Sequence, residues 1–180
     1  IKEGNTLTTM SAMKNIVAKA EVSESFEREV AIYDLNEFLA SLSLFKSPVL
    51  EFDESFVTIK EENTTTSLKY FYSDPSVVTT PSKTIKMPSK EVTFSLKGED
   101  LTKLKRAAGV IGAPDLVLER KDTGSFLTVK DKKNDTANTF SLDVTTTSEG
   151  NFNCFFTVEN LKVMDGNYDV EISSKNISHL

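Results

Sequence analysis

The side chains best suited to chemistry in this sequence are cations on one predicted helix. The segment KGEDLTKLKRAAGVIG, Lys97 to Gly112, has apolar residues at helical spacing, acidic residues in its first turn and a glycine at its stop. At about 100° per residue, Arg106 projects opposite the apolar stripe, Lys103 and Lys105 flank it, and Lys97 precedes the helix. The apolar stripe consists of Leu101, Leu104, Ala108 and Ile111. The pattern fits either an ordinary amphipathic surface helix or a surface that faces phosphates.

Residues for catalytic or metal sites are scarce. His179 is the only histidine, so neither a histidine-based triad nor a two-histidine metal site can be built. The sequence has no glycine-rich phosphate loop. The acidic pairs Glu61–Glu62 and Glu99–Asp100 could act as acid and base, but such pairs are typical of solvated turns and helix starts. We therefore predict that the protein is not an enzyme and that it uses no metal and no cofactor.

The composition is that of an acidic chain with enough apolar residues for a core. It has 180 residues, 38% of them hydrophobic, and a formal net charge of -6, so the chain as a whole is not a basic nucleic-acid binder. Cys154 is the only cysteine, which excludes an intrachain disulfide and favours a reducing, cytoplasmic setting. The chain starts at Ile1 without a methionine and stops on the apolar Leu180, so we expect a fragment of a longer protein.

A strand that runs directly into a helix is predicted before the middle of the chain. In VAIYDLNEFLASLSLF, the residues up to Tyr33 have the character of a buried strand, 28–33, and a helix follows at 34–44. Asp34 is suited to cap this helix, because its carboxylate can accept from the free amides of the first turn. The predicted buried stripe of the helix is Leu35, Phe38, Leu39 and Leu42. Its polar face offers Glu37, Ser41 and Ser43 and no cation.

The other predicted elements are mostly strands, and a proline-rich segment divides them. Strands are predicted at 7–10, 16–22, 49–52, 56–60, 67–72, 92–96, 115–120, 125–130 and 139–145. From 153 on, FFTVENLKVM predicts a strand that runs into a short helix, and strands follow in NYDVEI and at the end of the chain. The segment 73–91 holds three of the five prolines and predicts an extended linker. The order strand, acidic cap, helix, strand, turn, strand recurs after it. We therefore predict domain one at 1–72, an interdomain linker at 73–91 and domain two at 92–180.

Three stretches resemble the sliding clamps of T4-like bacteriophages, the DNA polymerase processivity factors. They are VAIYDLNEFLASLSL, the linker opening DPSVVTTPSKTI, and GNYDVEI, and the similarity extends through essentially the whole chain in the same order. The resemblance implies an α+β DNA-clamp fold, with two similar domains of antiparallel sheet and helices on one face. It also implies that the first helix of domain one and the last strands of domain two are missing, so the chain is truncated at both ends.

The resemblance further implies a ring-shaped homotrimer, when full length, that encircles duplex DNA without sequence preference. Weak, screened contacts from Lys97, Lys103, Lys105 and Arg106 would face the DNA, and the net negative charge would disfavour DNA elsewhere. The implied partners are the DNA polymerase, the clamp loader and phage late-transcription proteins, and the implied location is the cytoplasm of the infected bacterial host. Two other classes of protein stay open: a β-rich phage structural or protein-binding module, and a small hydrolase.

Two further sets of residues are predicted from the clamp resemblance. Clamps capture peptide tails in an apolar groove beside the linker, and the residues available here are Met10, Met13, Ile16, Val77, Val78, Ile85 and Met87. The same residues could instead only pin the linker to domain one. A head-to-tail ring also needs two different edges, for which we predict the strands at 67–72 and 139–145. The predicted interface side chains are Tyr70, Phe71, Tyr72, Phe140 and Leu142.

Overall fold

Two units divide the chain in the computed structural model, Ile1–Thr84 and Ile85–Leu180. The structure describes residues 1–81, 85–148 and 150–180. All described strand pairings are antiparallel, and the two α-helices lie one in each unit. The predicted α+β class is therefore confirmed. The boundary between the units falls within the proline-rich segment 73–91.

The first unit contains a hairpin and a three-stranded sheet. The hairpin pairs β1 (Gly4–Met10) with β2 (Val17–Phe26). The sheet has the order β3 (Pro48–Phe52), β4 (Phe56–Glu61), β5 (Ser67–Phe71), so β4 is central. The core of this unit is built from the buried side chains of Phe38, Phe45, Val57 and Ile59. A three-residue 3₁₀ turn, Pro75–Val77, follows the sheet.

The helix of the first unit, α1 (Leu35–Ser43), begins where the sequence predicted. The Asp34 carboxylate accepts a hydrogen bond from the Glu37 amide at 3.0 Å, which satisfies one of the free donors of the first turn. The predicted stripe is wrong on one flank, because Leu35 and Leu39 are 51% and 52% exposed. The sheet covers only the arc that contains Phe38 and the partly buried Leu42.

The predicted strand at 28–33 is also wrong. Val30 and Ala31 are buried, as a strand would be, but their backbone bonds go to two separate places. The Val30 amide donates to the Ile1 carbonyl, and the Ala31 carbonyl accepts from the Ser73 amide. A strand needs a ladder with one partner, so this stretch is an extended connection that leads into α1.

The second unit consists of two sheets and one long helix. The four-stranded sheet has the order β10 (Asn153–Thr157), β7 (Asp115–Lys121), β8 (Gly124–Lys130), β9 (Phe140–Val144). The three-stranded sheet has the order β12 (Ile177–His179), β11 (Tyr168–Ser173), β6 (Val92–Leu96). The helix α2 (Gly98–Ile111) follows β6 and packs against β8 and β9.

The predicted recurrence of a strand that runs into a helix holds only in part. After β10 the chain forms a single 3₁₀ turn, Val158–Asn160, and the Thr157 side chain makes no capping bond. No residue of this turn is fully buried, but Val158 packs against the core of the second unit and Leu161, just after the turn, is buried in it. The apolar spacing therefore reflects core packing by a single turn and not by a helix. The strands β11 and β12 follow in the predicted order.

Candidate nucleic-acid interface

The helix α2 presents the predicted cations on the side away from its core. Leu101, Leu104 and Ala108 are buried, and Gly112 ends the helix in the left-handed conformation, with φ of 69°. Lys103 and Arg106 are exposed, as the helical projection predicts. The structure therefore confirms that the apolar stripe of α2 faces the core and that Lys103 and Arg106 lie on the exposed side.

The other two predicted cations have different surroundings. Lys105 is half-buried at the flank of the stripe, whereas Lys103 and Arg106 are exposed. Lys97 is exposed at the N-cap position, and its side chain makes no capping bond. Glu99 lies one turn before Lys103 and is also exposed, so one acid is present beside the cations.

Cations on the four-stranded sheet of the same unit are already engaged. Lys121 lies 2.8 Å from a Glu119 carboxylate oxygen and Lys130 lies 3.8 Å from the other oxygen, while Lys132, in the turn after β8, lies 3.0 Å from Asp115. Burial alone would raise the pKa of Glu119, but the hydrogen bond from Lys121 and the charge of Lys130 outweigh it and hold that pKa below its usual range.

Two of these sheet lysines also lie over aromatic rings. The Lys121 ammonium is 5.7 Å from the centre of the Phe126 ring, and the Lys132 ammonium is 5.5 Å from that of Phe155. By contrast, none of the four cations predicted on or before α2 forms a salt bridge with any residue in 1–81, 85–148 or 150–180. The positive charge of α2 is thus available to an external anion.

The helix α1 has no comparable charge. Its polar face carries Glu37, and the hydroxyls of Ser41 and Ser43 donate to the carbonyls of Glu37 and Ala40 at 2.9 Å and 2.7 Å. The two hydroxyls therefore donate their hydrogen bonds to carbonyls of their own helix. The first-unit helix offers a neutral to acidic surface, as its sequence indicated.

The predicted groove residues lie at three places in the chain. Met10, Met13 and Ile16 belong to the end of the β1–β2 hairpin, where Met13 is 84% exposed. Val77 and Val78 lie at the 3₁₀ turn, where Val77 is 56% exposed. Ile85 is exposed and Met87 is half-buried in the second unit. The groove remains a prediction.

The predicted interface residues divide into exposed and packed side chains. Phe71, the last residue of β5, is 65% exposed, whereas its neighbours Tyr70 and Tyr72 pack against the core of the first unit. On β9, Phe140 and Leu142 pack against the core of the second unit. Both β5 and β9 are terminal strands of their sheets among the described residues, so each has one edge open to another strand.

One residue that positions α2 has no signal in the sequence around the helix. The side-chain oxygen of Asn167 accepts from the Gly98 amide at 2.9 Å, from a loop 69 residues away in the chain. Sequence patterns can suggest caps only from the residues next to a helix. A cap supplied from a distant loop becomes visible only when the pairing of β6 with β11 is known.

A metal cluster and a membrane-spanning helix are both absent from the described residues. No group of three or more His, Cys, Asp or Glu side chains in the described ranges is placed to hold a metal ion. None of the helices that the structure describes has the length and apolar character needed to cross a membrane.

Comparisons with known proteins agree with the fold and with the sequence patterns. Residues 93–179 match the family model described as gp45 sliding clamp, C terminal. The chain is 31% identical to the sliding clamp of Vibrio phage KVP40, over 99% of this chain and 83% of that protein. It is 28% identical to the sliding clamp of Enterobacteria phage T4, over 97% of this chain and 78% of that protein. The crystal structure of PCNA from Thermococcus kodakaraensis has the same fold, with a TM-score of 0.67, 15% identity and coverage of 98% of this chain and 83% of that one.

Proposed function

Because this chain belongs to the sliding clamp family of T4-like phages, it encircles duplex DNA and tethers the replicative polymerase, and we propose that α2 is its DNA-facing surface. Lys103 and Arg106 would make the main contacts, with Lys97 and Lys105 beside them. Contacts of this kind are screened within about 8 Å at physiological salt, so each is easily exchanged as the ring slides.

The observation that carries this proposal is the contrast between the paired lysines in and beside the four-stranded sheet and the cations that α2 groups on one face, which are unpaired among the described residues. Lys121 and Lys130 of the sheet, and Lys132 in the turn after β8, form salt bridges with carboxylates of the same unit. The cations of α2 point away from the buried stripe and have no such partner in the part of the chain that the structure describes. An acidic protein that keeps free positive charge on one helix face has a surface matched to phosphates.

The family also fixes the broad set of partners, which are DNA, the polymerase and the other subunits of a ring. We propose in addition that the full-length ring is a homotrimer, that a clamp loader opens it and that late-transcription proteins bind it. We propose that it acts in the cytoplasm of the infected bacterial host and catalyses no reaction. The proposed domains are 1–72 and 92–180, joined by the interdomain linker 73–91.

Ring closure is proposed to use the open edges of β5 and β9. An antiparallel or parallel pairing of these strands from neighbouring subunits would extend the sheets across the contact. Each ladder hydrogen bond adds only about 1 kcal/mol net, so such a contact can be opened by a loader. Phe71 is the exposed aromatic side chain that this edge offers to a neighbour.

Peptide tails of the partners are proposed to bind at the groove residues. The exposed Met13, Val77 and Ile85 would supply apolar surface, and methionine adapts to several partners.

Retention on circular DNA tests the proposed function. The full-length protein is loaded on nicked circular DNA with its clamp loader, separated from free protein at high salt, and then treated with an enzyme that linearises the circle. A sliding ring stays on the circle and is lost from the linear product. Equal retention on circular and linear DNA would exclude topological binding.

A further inference from the structure

The start of α2 is fixed by a contact with the loop that precedes β11. Gly98 is the first residue of α2, and its amide has no partner inside the helix, as for any helix start. The Lys97 side chain does not cap the helix, and the Asn167 side-chain oxygen accepts from the Gly98 amide at 2.9 Å instead. The cationic helix is thus anchored at its first turn by a residue from another element.

Strand pairing places Asn167 at this position. Leu96, the last residue of β6, pairs with Tyr168, the first residue of β11, so the residues just outside this pair lie opposite each other. The Ser95 hydroxyl donates to the Asp169 carboxylate at 2.8 Å and reinforces the same end of the pair. The Tyr168 hydroxyl donates to the Met164 carbonyl and closes the loop that carries Asn167.

Gly98 allows the loop to approach the helix. A Cβ atom at residue 98 would lie 2.7 Å from the carbonyl oxygen of Gly166 and 3.1 Å from its carbonyl carbon. These are backbone atoms, so a side chain at residue 98 would push either the helix or the loop away. The glycine is required here by close contact, and a side chain at this place would separate Asn167 from the amide it caps.

We propose that Asn167 is a positioning residue for the DNA-facing helix, through a latch formed by Gly98, Gly166 and Asn167. The latch holds the first turn of α2 against the loop before β11, which sets the direction in which Lys103 and Arg106 project. This inference rests on the proposed function of α2. Loss of the latch lets the first turn fray or tilt, so the cations meet phosphates less often, although their number is unchanged.

The test compares an apolar replacement of Asn167 with one that keeps an acceptor oxygen. Asn167 is exposed, so Asn167→Leu should fold, and Asn167→Asp retains the oxygen that caps Gly98. Two readouts are measured: amide hydrogen exchange at Gly98 by NMR, and the salt concentration that halves clamp-dependent primer extension on a circular template. Asn160→Leu, at another exposed amide of the same unit, is the matched control, and Lys103→Gln with Arg106→Gln reports on the helix charge itself.

We expect Asn167→Leu to accelerate exchange at Gly98 about fivefold, the change that corresponds to one net hydrogen bond. It should also lower the half-extension salt concentration towards that of the Lys103→Gln, Arg106→Gln variant. In Asn167→Asp, the exchange rate at Gly98 and the half-extension salt concentration should stay close to those of the original protein. Asn160→Leu should change neither quantity.

Three results would overturn the inference, and they can be told apart. Unchanged exchange at Gly98 in Asn167→Leu would show that the latch does not form. Faster exchange with an unchanged salt response would show that the latch stabilises the unit without directing the cations. An unchanged salt response in the Lys103→Gln, Arg106→Gln variant would contradict the DNA-facing role of α2 itself, on which the inference rests.

Discussion

The Tyr70 hydroxyl donates a hydrogen bond to the Asp34 carbonyl oxygen at 3.2 Å, which links β5 to the residue that caps α1. The Tyr70 ring also meets the Phe38 ring edge to face, with centroids 5.1 Å apart. Tyr70 therefore connects the edge strand of the first unit with its helix. Its neighbour Phe71 is exposed on the other face of the strand, so Tyr70 contributes to the core while Phe71 is accessible to another subunit.

Replacing Tyr70 by phenylalanine should weaken the first unit without affecting assembly. The ring contact with Phe38 stays, and the lost hydrogen bond should reduce the free energy of unfolding by about 1 kcal/mol. Urea unfolding measures this change, and sedimentation measures assembly. A loss of trimer with unchanged stability would show instead that Tyr70 acts at the subunit contact.

Replacing Phe71 by aspartate should weaken assembly much more than it weakens the first unit. The side chain is 65% exposed in the single chain, and its ring centroid lies 5.6 Å from that of Phe56 on the neighbouring strand, so the loss of this contact should lower the free energy of unfolding by about 1 kcal/mol. A carboxylate buried at a β5 contact between subunits would weaken assembly far more. Sedimentation of the full-length protein measures the effect, and Leu44→Asp, another exposed apolar position of the same unit, is the control. Equal trimer affinity in both variants would remove β5 from the interface.

The structure also changes how the partner edge should be tested. Phe140 packs against the core of the second unit, so Phe140→Asp would destabilise that unit whether or not β9 lies at an interface. Loss of trimer in this variant would not distinguish the two causes. The exposed Phe71 is the better position for a test of assembly.

Val77 allows the peptide groove to be tested with little effect on folding. It is 56% exposed, so Val77→Asp should leave the melting temperature within about 2 °C of the original while it abolishes binding of a polymerase tail peptide. Calorimetric titration with the peptide measures binding, and Thr79→Asp provides the same charge at an exposed polar position nearby. If the melting temperature falls steeply, Val77 pins the linker to the first unit and is not a binding residue.

Glu91 should make the second unit sensitive to acid. Hydrogen bonds from the Ser89 hydroxyl, and from the amide and hydroxyl of Ser174, lower the pKa of Glu91 from 4.5 to about 2. A pKa lowered in the folded state stabilises the protein above the unfolded value, and this stability is lost as the pH falls from about 4.5 to about 2.

Urea unfolding at pH 6 and pH 3 tests this expectation. Glu91→Gln should lose part of the difference in stability between the two pH values, and Glu159→Gln, at an exposed acid of the same unit, should retain it. An identical pH dependence in the Glu91→Gln variant and the original protein would contradict the role of this carboxylate.

The fold could be predicted where the signal is local. The stripe of α2 and its terminal Gly112, the cap at Asp34 and most strands are set by residues that are neighbours in sequence. The error at 28–33 has a different origin. Burial of Val30 and Ala31 resembles that of a strand, but a ladder depends on which distant backbone lies beside them, and the sequence does not show this.

For the candidate site, the sequence predicted which cations are exposed on α2, but not which other cations are paired or what caps the helix. Helical projection identified the exposed Lys103 and Arg106, because the period of a helix relates spacing directly to direction. It did not show that Lys121 and Lys132 are engaged by carboxylates, since those pairs depend on strand register. The cap from Asn167 was missed for the same reason.

The central claim is that the cations of α2 face DNA, and charge reversal measures it most directly. Lys103, Lys105 and Arg106 are replaced by glutamate, and the control replaces Lys133, Lys162 and Lys175, exposed cations of the same unit outside α2, so both proteins change charge equally. Three screened contacts of about 0.5 kcal/mol each correspond to roughly a tenfold loss. We predict that clamp-dependent primer extension falls about tenfold only in the α2 variant, with circular dichroism unchanged in both. Equal extension by the two variants would contradict the claim.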